Sequence, residues 1–204
     1  MGYYPIVMDL TEKKCLIVGG GRVALRKAVS LIEAGAAVTV ISPDIDDDLD
    51  SLDGVTNIRR EYASGDASGY ALIFAATDDT RLNSEVSNEA ARNGIPVNVV
   101  DDPELCTFIV PALVRRGDLM ISVTTSGKSP MLSKMIRQEL EEAYGPEYEA
   151  FVDLLGEVRY EVKSRYTSAV DREAAFTRLI NSGIFEMLRS GRKKEARETA
   201  HRCI

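Results

Sequence analysis

The sequence predicts an α/β fold in which the strands of a parallel sheet alternate with helices through the first half of the chain. Three observations support this prediction. The apolar run of residues 15–18 is typical of a parallel strand that is buried on both faces. A glycine-rich turn and an amphipathic helical pattern follow it directly. The strand pattern of residues 38–42 then completes a βαβ unit of ordinary length.

The composition sets limits on the class of protein. The chain has 204 residues, 45% hydrophobic and 28% charged, which is typical of a globular protein with a substantial core. A net charge of −7 argues against a general nucleic-acid binder. No apolar run is long enough to span a membrane, and the N-terminus lacks the pattern of a signal peptide. Three cysteines without a C-x-x-C pair favour reduced thiols and a cytoplasmic location over a disulfide framework or a zinc site.

A glycine motif lies at the junction of the first strand and helix. Gly19, Gly21 and Ala24 have the spacing G-x-G-x-x-A. The glycines allow a tight turn and the close approach of a ligand, and the small third residue lets helix and strand pack closely. The helix N-terminus presents unpaired N–H groups, which favour a diphosphate. The spacing is also compatible with a turn that binds nothing, but its place between strand and helix favours a Rossmann-like dinucleotide site.

The other elements of the first half follow from apolar runs and the residues that end them. Residues 3–10 are expected to form a short strand or arm, and the acidic run of residues 44–53 a loop or short helix. Gly35 is a helix stop, and Asp79 or Thr80 caps a later helix. The predicted helices are 22–34 and 81–93, and the predicted strands are 15–18, 38–42, 55–62, 70–76 and 95–100.

The alternation of strand and helix changes in the second half. Residues 106–114 and 119–125 are strand-like and are joined by a hairpin turn. A polar loop leads into a helix at residues 131–143, and the pattern after Tyr144 is helical to the end. We therefore expect three parts: a dinucleotide-binding domain at residues 1–112, a ribbon with one helix at 113–144, and a small helical domain at 145–204.

The end of the second predicted strand bears on the choice of cofactor. Dinucleotide folds usually place an acid there to bind the adenosine ribose, but this strand ends in Ser42 and Pro43, and Asp44 comes slightly late. No arginine follows the strand to bind a 2′-phosphate, so NAD is preferred to NADP. The expected cofactor contacts are Gly19, Gly20, Gly21, Arg22, Val23, Ser42, Pro43, Asp44, Thr77 and Asp78.

A set of segments between about residues 5 and 140 adds a more specific indication. The segments are residues 5–7, 15–24 with 26–27, 36–40, 75–79, 98–101, 108–112 and 126–130. Together and in this order they resemble the precorrin-2 dehydrogenase family, which includes the N-terminal half of siroheme synthase. The helical tail after Tyr144 resembles the family only in kind.

The resemblance implies an oxidoreductase of tetrapyrrole biosynthesis. Members of the precorrin-2 dehydrogenase family oxidise precorrin-2 to sirohydrochlorin with NAD⁺ on the route to siroheme, and some also insert Fe²⁺ into the product. It also implies an intertwined homodimer in which the ribbon makes much of the contact. Two alternatives remain open, a non-catalytic NAD-binding sensor and a dehydrogenase that acts on a different small acid.

Asp101 is the candidate catalytic residue. It ends the fifth predicted strand, at the edge of the sheet where α/β proteins bind ligands. Dehydrogenation removes a hydride and a proton, and a carboxylate there can accept the proton. The residues alone leave open whether Asp101 or Asp102 only begins a turn before Pro103. The resemblance favours catalysis by Asp101 and a turn role for Asp102.

Basic residues in the second half are candidates for the substrate, which the resemblance implies carries eight carboxylates. Arginine and lysine bind carboxylates by charge-assisted hydrogen bonds. Some of these residues are expected to be ordinary surface cations, and Lys128 is preferred because its loop matches the family. His201 is the only histidine, so no histidine-built metal site is expected. The candidate substrate-binding residues are Arg115, Arg116, Lys128 and Arg137.

Overall fold

The apolar runs of the first half form one parallel sheet in the computed structural model, which describes residues 2–204. The strand order is β3-β2-β1-β4-β5, so the direction of chain progression reverses between β1 and β4. Such a reversal leaves a crevice beyond the carboxyl ends of the strands. The strands are β1 (Lys14–Val18), β2 (Ala37–Ile41), β3 (Val55–Ile58), β4 (Leu72–Ala75) and β5 (Val97–Val99).

Helices cover both faces of this sheet. Cys15 and Ile17 of β1 belong to the core cluster of one face, and Leu16 and Val18 belong to the cluster of the other. All four are buried, which accounts for the uninterrupted apolar run. The predicted α/β class is thus confirmed. The helices of this unit are α1 (Arg22–Glu33), α2 (Asp47–Asp50) and α3 (Thr80–Arg92), followed by a 3-10 turn at Pro103–Leu105.

The prediction of a strand at residues 106–114 was wrong for its first half. The edge of β5 is bonded by the side chains of Cys106 and Thr107 and by the backbone N–H of Thr107, not by a further strand. The Thr107 hydroxyl lies 2.8 Å from the backbone nitrogen of Val97 and accepts its N–H, and the Cys106 sulfur accepts the N–H of Val99 at 3.1 Å. The strand begins only at Ala112. Of the two alternatives for residues 3–10, the structure shows the irregular arm.

The second unit begins at Pro111, after a first unit that ends at Val110. An antiparallel ribbon turns at Gly117, whose φ of +56° suits glycine. One helix follows the ribbon, and four more lead to the C-terminus. These elements are β6 (Ala112–Arg116), β7 (Leu119–Val123), α4 (Pro130–Ala143), α5 (Glu147–Arg165), α6 (Ala169–Asn181), α7 (Ile184–Arg189) and α8 (Lys193–Cys203).

The C-terminal helices share a core of their own. Val158, Val162 and Leu179 are fully buried within it, and the hydroxyl of Tyr166 donates to the terminal carbonyl of Ile204 at 3.1 Å. The division of the chain at residues 112 and 144 stays a prediction. Within residues 2–204, no helix is both long and apolar enough to cross a membrane.

Candidate functional site

A cleft of about 430 Å³ lies at the carboxyl ends of β1, β2 and β4. It therefore occupies the edge where the strand order reverses, the usual ligand position in such sheets. Four of the ten predicted cofactor contacts line it, namely Gly19, Ser42, Pro43 and Thr77. The complete lining consists of Val18, Gly19, Ile41, Ser42, Pro43, Glu61, Tyr62, Thr77, Asp79, Arg81, Leu82 and Glu85.

The glycine turn is closed by backbone on two sides and open on the third. Gly19 has a φ of +114°, and a Cβ there would collide with the carbonyl of Ala76. A Cβ on Gly20 would collide with the carbonyl of Asp44. At Gly21, by contrast, no other atom lies within 4 Å of the position that a Cβ would take. The first two glycines let the backbone pack tightly, and the third leaves room for a ligand.

The start of α1 fits the diphosphate of a dinucleotide. Gly21 precedes the helix in an extended conformation, and no side chain caps the first turn. The first turn also contains no acidic residue that would repel an anion. The free N–H groups of a helix N-terminus bind phosphate oxygens well. Arg22 is exposed and Val23 is partly buried at this position.

The end of β2 differs from the expectation. The buried Ser42 hydroxyl donates to the carbonyl oxygen of Asp44 at 2.7 Å, so it stabilises the turn after the strand. The side chain of Asp44 is exposed and does not line the cleft, and the same is true of Asp78. Pro43 contributes an apolar part of the wall. Binding by these residues stays a prediction.

Several lining residues were missed by the sequence analysis. Glu61 and Tyr62 come from the segment that leaves the sheet after β3, and Arg81 and Glu85 come from α3. The signal for α3 was present, because a helix that follows β4 begins at the same edge as the glycine turn. The buried Asn83 was also missed. Its side-chain oxygen accepts a hydrogen bond from the Thr77 hydroxyl at 2.8 Å and fixes that residue.

The cap of α3 agrees with the prediction. The carboxylate of Asp79 accepts the N–H groups of Arg81 at 2.8 Å and Leu82 at 3.2 Å. Asp79 is therefore a structural residue of the cleft wall, as the pattern indicated.

Asp101 follows β5 in an unusual backbone conformation. Its φ is +61°, in the left-handed region, and its side chain is exposed. The thiol of Cys106 reaches the carbonyls of Val99 and Asp102, each at 3.2 Å, and so ties the two sides of the turn together. Burial raises the pKa of this thiol, which keeps it protonated and able to donate.

Asp102 has the turn role that was predicted for it. Its carboxylate accepts the N–H of Glu104 at 3.2 Å at the start of the 3-10 turn. The carboxylate of Asp101 makes no hydrogen bond or ion pair within the part of the chain that the structure describes. Asp101 thus presents an unoccupied proton acceptor at the same sheet edge as the cleft.

The predicted cations of the second unit differ in their surroundings. The Arg116 guanidinium donates to the carbonyls of Tyr144 at 2.8 Å and Glu141 at 3.1 Å, at the end of α4. Arg137 is paired with Glu141 on the same helix. Arg115 is exposed and donates only to the carbonyl of Gly117, at 3.3 Å. Lys128 is exposed and has no partner among residues 2–204.

The remaining polar candidates do not form a metal site. His201 is exposed and lies 3.1 Å from a carboxylate oxygen of Glu161. Among the described residues, no group of three or more histidine, cysteine or acidic side chains is arranged to hold a metal ion. Cys15, Cys106 and Cys203 are all free thiols.

Family models match almost the whole chain in three consecutive pieces. The model described as "Putative NAD(P)-binding" matches residues 6–112, and "Sirohaem biosynthesis protein central" matches residues 116–143. "Sirohaem synthase dimerisation region" matches residues 147–203. The chain belongs to the family described as "Putative NAD(P)-binding", whose model covers more than half of it. The resemblance to precorrin-2 dehydrogenases and siroheme synthases, and the predicted nicotinamide dinucleotide cofactor, are thereby confirmed.

Individual relatives agree with this family. The siroheme synthase of Thioalkalivibrio sulfidiphilus is 38% identical over 207 residues, which cover 100% of this chain and 42% of the relative. That of Pseudomonas aeruginosa strain PAO1 is 41% identical over 199 residues, 96% of this chain and 43% of the relative. The chain thus spans about two fifths of the length of these siroheme synthases.

A solved structure shares the fold. The structure named "SirC, precorrin-2 dehydrogenase" matches with a TM-score of 0.78 and 24% sequence identity, over 98% of this chain and 100% of the other. The family description that mentions dimerisation falls on the C-terminal helices, whereas the sequence analysis expected the ribbon to make much of the dimer contact. The role of the ribbon stays a prediction.

Proposed function

We propose that this chain oxidises precorrin-2 to sirohydrochlorin with NAD⁺ as hydride acceptor, in the biosynthesis of siroheme. The observation that carries the proposal is the order of family regions on one chain, an NAD(P)-binding region followed by the central and dimerisation regions of sirohaem synthase. The name of the structurally similar SirC supports the choice of reaction. A cleft and an unpaired carboxylate at one edge of one sheet support the proposal.

In the proposed mechanism, different residues of the first unit bind the cofactor and accept the proton. Bound NAD⁺ supplies an acceptor for two electrons and one proton as a hydride. Gly19, Gly20 and Gly21 and the start of α1 hold its diphosphate. Asp101 takes the second hydrogen of the substrate as a proton and passes it to solvent. The products are then sirohydrochlorin, NADH and one proton, which balances the oxidation.

The second unit contributes cations for the acidic substrate. Lys128 is the strongest candidate, because its ammonium is exposed and has no partner among the described residues. Arg115 is the second, since only one of its nitrogens is used, in a long bond. The guanidinium of Arg116 is occupied by carbonyls at the end of α4, so we assign it a structural role.

The proposal includes the setting of the enzyme. We infer a homodimer from the matched dimerisation region. We infer a cytoplasmic location from the free thiols. The acidic composition favours a small-molecule substrate over nucleic acid. Insertion of Fe²⁺ is the second candidate activity, because the curated relatives are named siroheme synthases and siroheme contains iron. Asp101 is available for that step too, as acceptor of the pyrrole protons.

The test is a turnover assay with the full chain. Precorrin-2 and NAD⁺ are mixed with the protein, and the absorbances of NADH and sirohydrochlorin are followed. Stoichiometric appearance of both supports the proposal. Tight NAD⁺ binding without turnover would instead favour the non-catalytic sensor. Addition of Fe²⁺ and sirohydrochlorin in a second reaction tests chelation separately.

A further inference from the structure

The cleft at the ends of β1, β2 and β4 is lined by more negative than positive side chains. Its wall contains the carboxylates of Glu61, Asp79 and Glu85 and the single guanidinium of Arg81. Asp79 is occupied by two backbone N–H groups of α3. The side-chain carboxylates of Glu61 and Glu85 make no hydrogen bond and no ion pair within residues 2–204. Two carboxylates are therefore free to interact with whatever enters the cleft.

The segment that carries Glu61 is held in place by neighbouring ion pairs and hydrogen bonds. Arg60 binds both carboxylate oxygens of Asp66, at 2.6 and 2.8 Å, and also donates to the backbone carbonyl of Glu61 at 2.9 Å. This pairing lowers the pKa of Asp66 and keeps its carboxylate charged. The backbone at Glu61 is thus fixed by a bidentate pair, which is the geometrically most specific kind.

A second carboxylate fastens the same segment to α3. The buried Glu89 accepts the hydroxyl of Tyr62 at 2.8 Å and the N–H groups of Gly65 at 2.9 Å and Ala67 at 3.2 Å. The residue after Glu61 is therefore tied to the helix that bears Glu85. A carboxylate on a fixed backbone is preorganised for a ligand.

This arrangement replaces the acid that is missing at the end of β2. In dinucleotide folds an acid at that point binds the adenosine ribose, and an arginine there accommodates a 2′-phosphate. Here Asp44 lies outside the cleft, whereas Glu61 lines it beside Ser42 and Pro43. We propose that Glu61, assisted by Glu85, makes this cleft select the adenosine end of NAD over the 2′-phosphorylated adenosine end of NADP.

The chemistry of selection is simple. Adenosine offers hydroxyl and amino groups that donate hydrogen bonds, and a free carboxylate accepts them. A 2′-phosphate would place a further negative charge near these two exposed carboxylates, and like charges repel each other. Arg81 opposes this effect with one positive charge. The inference rests on the proposed function, because it assumes that the dinucleotide lies in this cleft.

Calorimetric titration of the full chain with NAD⁺ and with NADP⁺ tests the inference. The measured quantity is the ratio of the two Kd values for the wild type and for Glu61→Gln. We expect the wild type to bind NAD⁺ more tightly, and the preference to fall by roughly tenfold in Glu61→Gln, equivalent to ~1.4 kcal/mol. Glu33→Gln is the matched control, because Glu33 is an exposed acid at the end of α1 outside the cleft.

The possible outcomes separate the inference from the function on which it rests. An unchanged ratio in a folded Glu61→Gln variant, or an equal shift in Glu33→Gln, would overturn the inference and leave the proposed function intact. A wild type that prefers NADP⁺ would overturn it in favour of Arg81. Binding of neither dinucleotide by the wild type would overturn both.

Discussion

Asp101 shows how a residue can be positioned by contacts of the neighbouring chain and not by contacts of its own side chain. Its carboxylate has no partner in residues 2–204, but the chain on either side is fixed. Val100 donates to the carbonyl of Ala75 at 2.9 Å, and the Cys106 thiol bridges the carbonyls of Val99 and Asp102. The left-handed φ of Asp101 is tolerated by aspartate better than by most residues. The turn thus fixes the backbone at Asp101 and leaves its carboxylate without a partner among the described residues.

We predict that Asp101→Asn lowers kcat by about 10²–10⁴-fold, the usual contribution of a general base. The change keeps the size and the backbone preference of the side chain but removes the proton acceptor. The Kd for NAD⁺ should stay within about twofold, because Asp101 does not line the cleft. Steady-state kinetics and calorimetry measure the two quantities.

Asp102→Asn is the control for this experiment. It removes the same charge from the adjacent residue and preserves the cap of the 3-10 turn, since asparagine caps as well as aspartate. Near-normal turnover in Asp101→Asn, or equal losses in the two variants, would remove Asp101 from the proposed mechanism.

Cys15 gives the core of the first unit a dependence on alkaline pH. Burial raises the pKa of its thiol from 9.0 to about 11. Between these values the thiol ionises only in the unfolded chain, so unfolding releases a proton and stability falls as the pH rises. We predict that the free energy of unfolding decreases by roughly 3 kcal/mol between pH 8.5 and 11.5 on account of this group. Denaturant titrations across this range measure the slope.

The Cys15→Ala variant separates this contribution from those of other groups. It is less stable at every pH because it leaves a cavity, by roughly 1–3 kcal/mol. Its stability should nevertheless depend less steeply on alkaline pH than that of the wild type. Parallel curves for the two proteins would contradict the assignment to Cys15.

Among the structural elements, the central strand and its glycine turn could be predicted closely, because their pattern is local. Strand β1 differs from the prediction by one residue, and α1 begins at Arg22 as expected. Gly19, Ser42, Pro43 and Thr77 line the cleft for the same reason, and their contact with the cofactor stays a prediction. The position of these residues depends on the turns between adjacent elements, and the spacing of residues in the sequence predicts such turns well.

Elements that depend on distant side chains could not be predicted in this way. Strand β3 stops at Ile58 and not at residue 62, because Arg60 turns toward Asp66 and Tyr62 toward Glu89. Nothing local to residues 55–62 indicates these partners. The same contacts bring Glu61 into the cleft. Glu61 could not be predicted as a cleft residue, because dinucleotide folds usually place the acid at the end of β2.

The glycine turn supports a prediction with a matched pair of variants. We predict that Gly20→Ala destabilises the fold by about 1–3 kcal/mol, because its methyl group meets the backbone of Asp44. Gly21→Ala should change stability by only about 0.5 kcal/mol, since that position is extended and open. Urea denaturation distinguishes the two, and equal losses would contradict the described packing.

Gly21→Asp then tests the cofactor contact at the same open position. The variant should fold, but its carboxylate fills and charges the place assigned to the diphosphate. We expect NAD⁺ binding to be abolished while Gly21→Ala retains most of it. Unchanged affinity in Gly21→Asp, measured by calorimetry, would disprove the placement of the diphosphate.

At the scale of the whole molecule, the two units carry different parts of the proposed chemistry. Every residue that lines the cofactor cleft precedes Val110, and the candidate substrate cations follow Pro111. The chain has an acidic net charge, but the second unit has exposed cations such as Lys128. The resemblance of residues 5–140 implies this division, which stays a prediction, whereas composition alone indicated only an acidic globular protein.

The second unit also exposes apolar side chains that suit an interface between two copies of the chain. Leu113 and Met120 lie on the same face of the ribbon and are 42% and 44% exposed. Exposed apolar surface of this kind marks association sites. We predict that the double variant Leu113→Asp and Met120→Asp weakens the proposed homodimer at least tenfold, measured by sedimentation analysis.

The matched control for the dimer is Ser68→Asp, which adds charge to an exposed loop of the first unit. A dimer that resists the double variant would assign the contact to the C-terminal helices alone, where the dimerisation model matches. A wild-type monomer would contradict the proposed assembly itself.

The positive φ of Asp101 has a practical consequence for mutational screening of this protein. In a library at position 101, activity will depend on whether each residue tolerates the positive φ as well as on whether it carries a carboxylate. β-Branched residues rarely adopt such a torsion. Valine or isoleucine at that position would strain the turn whether or not the carboxylate takes part. Asparagine and glycine accept the torsion, so only Asp101→Asn and Asp101→Gly measure the effect of losing the carboxylate without strain in the backbone.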